Sequence, residues 1–353
     1  MVLHDFHASS RAQFLETNGF EAVADYSDST AEYTALRQRA GIIDFSFRSR
    51  LCLTGVDRVR FLHGQVTNDI KRLSTGDGCY AALVSAKGRM QSDLNVFCLA
   101  DELLLDFEPG LATTVSQRLE KYIVADDVQV VDVAPHYGLL TVQGPAAEEI
   151  VRKSGLFKSP LPAKPMQSVN SSDSELGELY LVNNPRLAMS GFDYFIPMQA
   201  LATVATRLMD ATISQGGRPC GWHAFEVCRI EAGIPRFGVD MDEHTLLPEC
   251  GIESRAVSFN KGCYIGQEVI NRVHTIGHVN RHLRRLHARD EANIPLTHGD
   301  KLFRAGKEVG AITSATRSSA LQRTVALGYV HREAAVAGTE LTCRDQIFEV
   351  AGS

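Results

Sequence analysis

Residues 79–109 read CYAALVSAKGRMQSDLNVFCLADELLLDFEP. Apolar runs rich in Leu, Val and Phe are separated by Lys87-Gly88 and by Ala100-Asp101-Glu102, which predicts three short strands joined by turns. Upstream, AGIIDFSFRSRLCLTG (residues 40–55) alternates apolar and polar positions from Ile43 to Leu53, predicting a strand that turns at Gly55. Residues 14–41 carry helix-compatible patterning, Val59, Phe61 and Leu62 fall at helical spacing, and Thr67-Asn68-Asp69 can cap a further helix that ends near Gly76. Downstream, LATTVSQRLEKYIV (residues 111–124) is an amphipathic helix pattern, and strand character returns over residues 128–145 before Gly144-Pro145. Helices and strands mix without strict alternation, so the expected fold is α+β with largely antiparallel sheets.

The chain has 353 residues with 28 Gly and 12 Pro, long enough for more than one domain. Residues 158–174, KSPLPAKPMQSVNSSDS, concentrate Pro and Ser and are expected to form a surface loop between sub-lobes. From Gly299 onward, short β-rich runs recur between Gly-containing turns, predicting a small closing barrel. The division expected is residues 1–285 as one module of two sub-lobes and residues 286–353 as a C-terminal barrel domain.

A net charge of −6 gives no global case for a nucleic-acid or membrane partner, although a local basic patch suffices for a small anion. The N-terminus carries Asp5 where a secretory signal places Lys or Arg, and no run approaches the roughly 20 apolar residues of a spanning helix. Eight scattered cysteines without a CxxC pair point to a reducing compartment, so a cytoplasmic location is expected.

Four segments can carry chemistry. In Lys261-Gly262-Cys263-Tyr264-Ile265-Gly266-Gln267-Glu268, two glycines permit tight turns around a thiol, and Lys261 is placed to raise its thiolate fraction. The same residues also suit a small buried apolar Cys263 in a plain turn. Glu231, before Gly233-Ile234-Pro235, can accept two hydrogen bonds from an amino-pyrimidine edge, or can pair with Arg229 or Arg236. Asp93, in GRMQSDLNVF, suits a general acid or base at a pocket edge, or a solvent-facing strand acid. Residues 272–289 hold five arginines and four histidines without an acid, which reads as a basic stripe for a polyanion or as a solvated face; no metal site is expected there or elsewhere. GxSxG, Walker A, GxGxxG and HExxH patterns are absent.

These segments resemble, in order and along nearly the whole chain, the glycine cleavage T-protein (aminomethyltransferase) superfamily. The matching stretches are residues 40–70, GRMQSDLNVF, LLTVQGPAA, RIEAGIPRFGVDMDEHTLLPE, KGCYIGQEVINR and VGAITSATRSSALQRTVALGYV. KGCYIGQE with a distal Arg272 resembles the YgfZ-type branch, folate-binding proteins that support iron–sulfur cluster assembly or repair. The resemblance implies a three-lobed, cloverleaf-like α+β fold with mostly antiparallel sheets and a C-terminal β-barrel lobe, binding tetrahydrofolate. It implies Glu231 on the pterin and Asp93 near the reactive end of the folate. It further implies Cys263 as the functional thiol, with Lys261, Tyr264, Gln267, Glu268 and Arg272 holding its loop within a folate-binding site. Two departures stand out: Ser92-Asp93 replaces two adjacent acids, and Met189-Ser190-Gly191-Phe192 replaces Tyr-Thr-Gly-Glu. The expected partners are a reduced folate and iron–sulfur enzymes or their assembly proteins. The alternative is a tetrahydrofolate-dependent one-carbon transferase, an aminomethyltransferase served by a lipoyl carrier protein.

Overall fold

The hairpin at residues 13–25 departs from the helix expected there. Asn18 and Gly19 both adopt positive φ, +49° and +81°, between Thr17 and Phe20, and this Asn-Gly turn twists two antiparallel strands, Gln13–Thr17 and Phe20–Asp25, into register. Helix begins only at Ser29–Gln38, where the Asp28 carboxylate accepts the Ala31 N–H at 2.9 Å. Past Thr67, a single 3-10 turn, Ile70–Arg72, replaces the expected helix, and the Asp69 side chain makes no cap hydrogen bond to it. The computed structural model describes residues 1–290 and 295–352.

The chain divides into two compact units: one comprises Met1–His63, Asp69–Tyr80 and Leu94–Cys228, and the other Gly64–Asn68, Ala81–Asp93 and the chain from Arg229 onward. The first unit holds a six-stranded sheet ordered Ser168–Asp173, Gly177–Asn183, Gly191–Pro197, Tyr137–Gln143, Gly41–Asp44 and Arg218–Pro219. Only its Gly41–Asp44/Arg218–Pro219 pair is parallel. The helices Ala147–Ser154 and Leu201–Ser214 bury Ile150, Val151, Leu201, Val204 and Leu208 against Leu140, Val142, Tyr194 and Ile196 of this sheet. The connection expected over residues 158–174 ends earlier: Ser168–Asp173 is the sheet's outermost strand, whose polar residues suit an exposed edge.

The 79–109 stretch forms the strands Gly78–Val84, Met90–Cys98 and Leu103–Phe107, which continue through Ser49–Thr54 to Gln129–Asp132 as a second, five-stranded sheet. Met90–Cys98 alternates buried and half-buried residues, so Ser92 and Asp93 point to opposite faces.

In the second unit a closed barrel runs Arg281–Ala288, Arg323–His331, Lys307–Ser318, Lys301–Arg304, Glu340–Cys343 and Gln346–Val350. Leu286, Ala288, Leu302, Ile312, Ala326, Val330 and Phe348 fill its interior. Its first strand begins at Arg281; His274 is on the helix Gln267–Thr275, His278 on the connection after it, and His282 and His287 on this strand, so they share no helical face.

Candidate functional site

All eight residues singled out by sequence, Asp93, Glu231, Lys261, Cys263, Tyr264, Gln267, Glu268 and Arg272, belong to the second unit. The loop of Cys263 is built by its neighbours. Lys261 is 7% exposed, and its Nζ donates to the carbonyls of Val66 (2.7 Å) and Asn68 (2.9 Å) while lying 4.8 Å from the Tyr264 ring centre. Thr67, between those two carbonyls, donates to Ala256 O at 2.6 Å and accepts the Ala82 N–H at 2.9 Å. The Gln267 amide donates to the carbonyls of Lys261 and Gly262 at 3.4 and 3.5 Å. Cys263 itself is exposed, whereas six of the other seven cysteines are buried. The Lys261 ammonium serves two carbonyls and a ring, the partners a buried cation needs.

Two glycines set the loop against the turn that leads into Asp93. Gly266 has φ +86°, and a Cβ there would meet the Ser85 carbonyl at 2.6 Å. Gly88 has φ +70°, and a Cβ there would meet the Val269 side chain at 3.0 Å. On its other side the turn is sewn to residues 244–247: Met90 N donates to Thr245 O, Leu247 N to Gly88 O, and the Arg89 guanidinium to His244 O. Asp93 is half-buried, and its charge reaches Cys250. Burial pushes the Cys250 thiol up to about 12; the Tyr329 hydroxyl opposes the rise, and Glu249 and Asp93 add to it. Ser92 is fully buried on the opposite face and donates to Asp93 O at 3.1 Å. An acid at position 92 would therefore not stand beside Asp93.

Glu231 ends the helix Trp222–Glu231 and stays half-buried. Arg229 is 1% exposed and bonds Asp240 at 2.6 Å and Ser314 at 2.8 Å. Asp240 also accepts from Ser314 (2.7 Å), from Thr313 and from the Arg236 N–H (3.1 Å), so this barrel-edge network is closed around one buried ion pair.

The outer face of the strand Arg281–Ala288 meets Glu249 and the Glu231 carbonyl. Arg281 bonds Glu249 at 3.0–3.1 Å and lies 4.5 Å from the Tyr329 ring, beside the Cys250 that senses Asp93. Leu283 packs with Ile230, Leu327 and Tyr329. Arg285 donates to the Glu231 carbonyl at 3.0 Å. Burial lowers the pKa of His287, with Arg285 and Arg323 adding to the fall and Glu349 and Glu231 opposing it. The basic stripe expected over residues 272–289 is thus largely committed, since Arg284 also donates to Ala335 O (2.9 Å) and Arg289 pairs with Glu340 (2.6 Å). Arg281 and Arg285 lie four positions apart on the strand, roughly 13 Å at strand rise.

Cavities open among the described residues of this unit. One of 370 Å³ is lined by Glu268, Val269, Arg272, Val273, Ile276 and His278, and so includes two of the predicted residues. Another, 290 Å³ between residues 239–245 and the barrel, includes none of them. Tyr264 Oη, Asn271 Oδ1 and Arg285 Nε are buried without a protein hydrogen-bond partner. Such groups cost free energy unless something supplies a partner, and a pterin edge rich in donors and acceptors fits that need. Among the described residues no group of three His, Cys, Asp or Glu side chains is placed to hold a metal ion, and no helix is long and apolar enough to cross a membrane.

The Gly191–Pro197 strand, in the first unit, carries the second departure. Phe192 points into the apolar core, and Asp193, on the other face, is bonded to Arg186 and Asn184. The acid in this stretch is committed to an internal ion pair.

Comparison with known proteins agrees with this architecture. Residues 3–261 match the family model of the GCVT N-terminal domain, and residues 281–346 match the glycine cleavage T-protein C-terminal barrel domain. The aminomethyltransferase of Lysinibacillus sphaericus is 27% identical over 342 residues, covering 96% of this chain and 91% of that protein. The aminomethyltransferase of Cupriavidus metallidurans is 27% identical over 354 residues, covering 96% and 91%. The crystal structure of the glycine cleavage system aminomethyltransferase T from Bartonella henselae superposes with a TM-score of 0.89 at 23% identity, over 100% of this chain and 96% of that one. The chain belongs to the glycine cleavage T-protein family and has its α+β fold, with mostly antiparallel sheets and a six-stranded C-terminal barrel.

Proposed function

We propose that this member of the T-protein family is a reduced-folate-binding protein of the YgfZ type, acting in the assembly or repair of iron–sulfur enzymes through Cys263. The observation that carries the reading is the clamp of Lys261 on Val66 O and Asn68 O, which, with Gln267 on the backbone of Lys261 and Gly262, holds an exposed thiol on a fixed loop. Tetrahydrofolate, the ligand typical of the family, supplies a carrier for one-carbon units at its ring nitrogens. Glu231 accepts hydrogen bonds from the pterin edge, the Tyr264 hydroxyl offers one more, and Glu268 and Arg272 line the neighbouring cavity. Asp93 holds a proton near the reactive end. Cys263 faces solvent, where a partner protein reaches it. In a deletion strain, Cys263→Ser is expected to fail to restore iron–sulfur enzyme activity; full restoration rejects the reading.

A second reading is aminomethyl transfer from a lipoyl carrier protein to tetrahydrofolate, and the names of the curated relatives favour it over the first. In it Asp93 positions and protonates the departing amine, and rate comes mainly from holding both reactants together. Formation of methylene-tetrahydrofolate that is lost in Asp93→Asn would establish it.

A further inference from the structure

The helix Trp222–Glu231 ends where its last carbonyls lack helical partners. Gly233, with φ +73°, turns the chain, its N–H bonding Ile230 O at 3.0 Å while Ile234 N bonds Arg229 O at 2.9 Å. The Glu231 carbonyl is met by a side chain from the barrel: Arg285 Nη1 donates to it at 3.0 Å, and a cation at a helix C-terminus also complements the macrodipole. Arg285 is itself held. Its Nη2 donates to Gly352 O at 3.1 Å, its carbonyl accepts Ala351 N–H at 2.9 Å, and strand pairing sets it opposite Leu327. One donor of this guanidinium, Nε, is buried and has no protein partner. Burial of that N–H costs free energy in the absence of an acceptor, a cost it shares with the Nε groups of Arg50, Arg58 and Arg218.

We infer that Arg285 is a positioning residue for reduced-folate binding, fixing the helix end so that the Glu231 carboxylate stands where the pterin edge is received. The inference rests on the folate reading above. It assigns a binding role to a residue of the barrel strand and explains why Arg285 is spent on a backbone carbonyl instead of an acid.

The test is a double-mutant cycle on tetrahydrofolate affinity, with Glu231→Gln, Arg285→Gln, Arg285→Lys and the double variant Glu231→Gln/Arg285→Gln. Arg285→Gln is expected to raise the dissociation constant about tenfold, the scale of one hydrogen bond to a charged group. Arg285→Lys keeps a cation at the helix end and is expected to recover part of that loss. In the Glu231→Gln background, Arg285→Gln is expected to add less than about twofold, because groups acting through one contact are not additive. Unchanged affinity in Arg285→Gln overturns the inference, as does a full second loss in the double variant. If Arg285→Gln does not fold, Arg285→Lys carries the cycle, with an intermediate loss that Glu231→Gln abolishes expected and no loss overturning the inference. A wild-type chain that binds no tetrahydrofolate overturns the folate reading itself, which separates the two failures.

Discussion

The cluster around Asp106 in the first unit and the surroundings of Lys261 and Arg285 in the second are built on different plans. In the first unit, Asp106 accepts Arg48 at 2.8 Å, Arg186 at 2.7 Å and Asn95 at 2.9 Å, Arg48 also reaches Glu108 at 2.8 Å, and Arg186 reaches Asp193 at 2.7 Å. Each of these five charges answers another, while the neighbouring buried Arg50 serves the carbonyls of Arg48, Ser46 and Tyr137. In the second unit, Lys261 and Arg285 are spent on backbone carbonyls, and Tyr264 Oη and Arg285 Nε are left buried without protein partners. A closed network of opposite charges specifies packing and has nothing left to offer a ligand. Cations that fix a backbone while polar atoms nearby stay unsatisfied leave donors and acceptors that a ligand can meet, although the same arrangement also occurs at Arg50 in the first unit. The proposed folate reading places its site at the Cys263 loop and the outer face of the strand Arg281–Ala288, where the second kind of arrangement occurs.

The largest effect is expected from opening the closed cluster. Asp106→Ala leaves two buried guanidiniums short of their shared carboxylate and is expected to cost about 3–5 kcal/mol in urea unfolding. The same carboxylate sets an acid limit: Arg186 and Arg48 overcome its burial and hold its pKa well below the usual range. Because the folded pKa is depressed, its stabilisation is complete above about pH 4 and is lost as pH falls toward the folded value, so the wild-type midpoint is expected to drop there more steeply than that of Asp106→Asn.

Next comes Lys261→Met, which deprives two carbonyls of their donor and is expected to cost about 1–3 kcal/mol, with faster amide exchange over residues 261–268. Unchanged exchange in that segment would put the open site on the same footing as the closed one. Glu231→Gln is expected to weaken tetrahydrofolate binding about tenfold or more while moving the unfolding midpoint little, because the residue is half-buried at a helix end. The smallest effect on stability is expected for Cys263→Ser, within about 0.5 kcal/mol. Titration of the native protein with a thiol reagent is expected to modify Cys263 first, and urea to release the buried cysteines.

Much of this was legible in the residues. The turn at Lys87-Gly88 and the apolar runs around it disclosed three strands because period-two patterning survives wherever one sheet face is buried. Ordered motifs such as KGCYIGQE and RIEAGIP identified the family. The Asn18-Gly19 hairpin was also readable, since that dipeptide is a strong turn signal, yet the surrounding residues tolerate helical spacing and hid it. Long-range pairing was not legible. Nothing in the order of residues says that Lys261 meets the carbonyls of Val66 and Asn68, nearly 200 positions away, or that Arg285 meets Glu231 O. The helpful signal for Arg285 was present only as an acid-free basic run, which composition alone assigns to a polyanion as readily as to internal carbonyls.

The central claim is that this chain binds reduced folate and works through Cys263 instead of transferring aminomethyl groups. The most direct test supplies the purified protein with tetrahydrofolate and aminomethyl-loaded lipoyl carrier protein and follows methylene-tetrahydrofolate, with Asp93→Asn alongside. The account predicts that tetrahydrofolate binds and no methylene-tetrahydrofolate accumulates; turnover by the wild type that Asp93→Asn abolishes would contradict it.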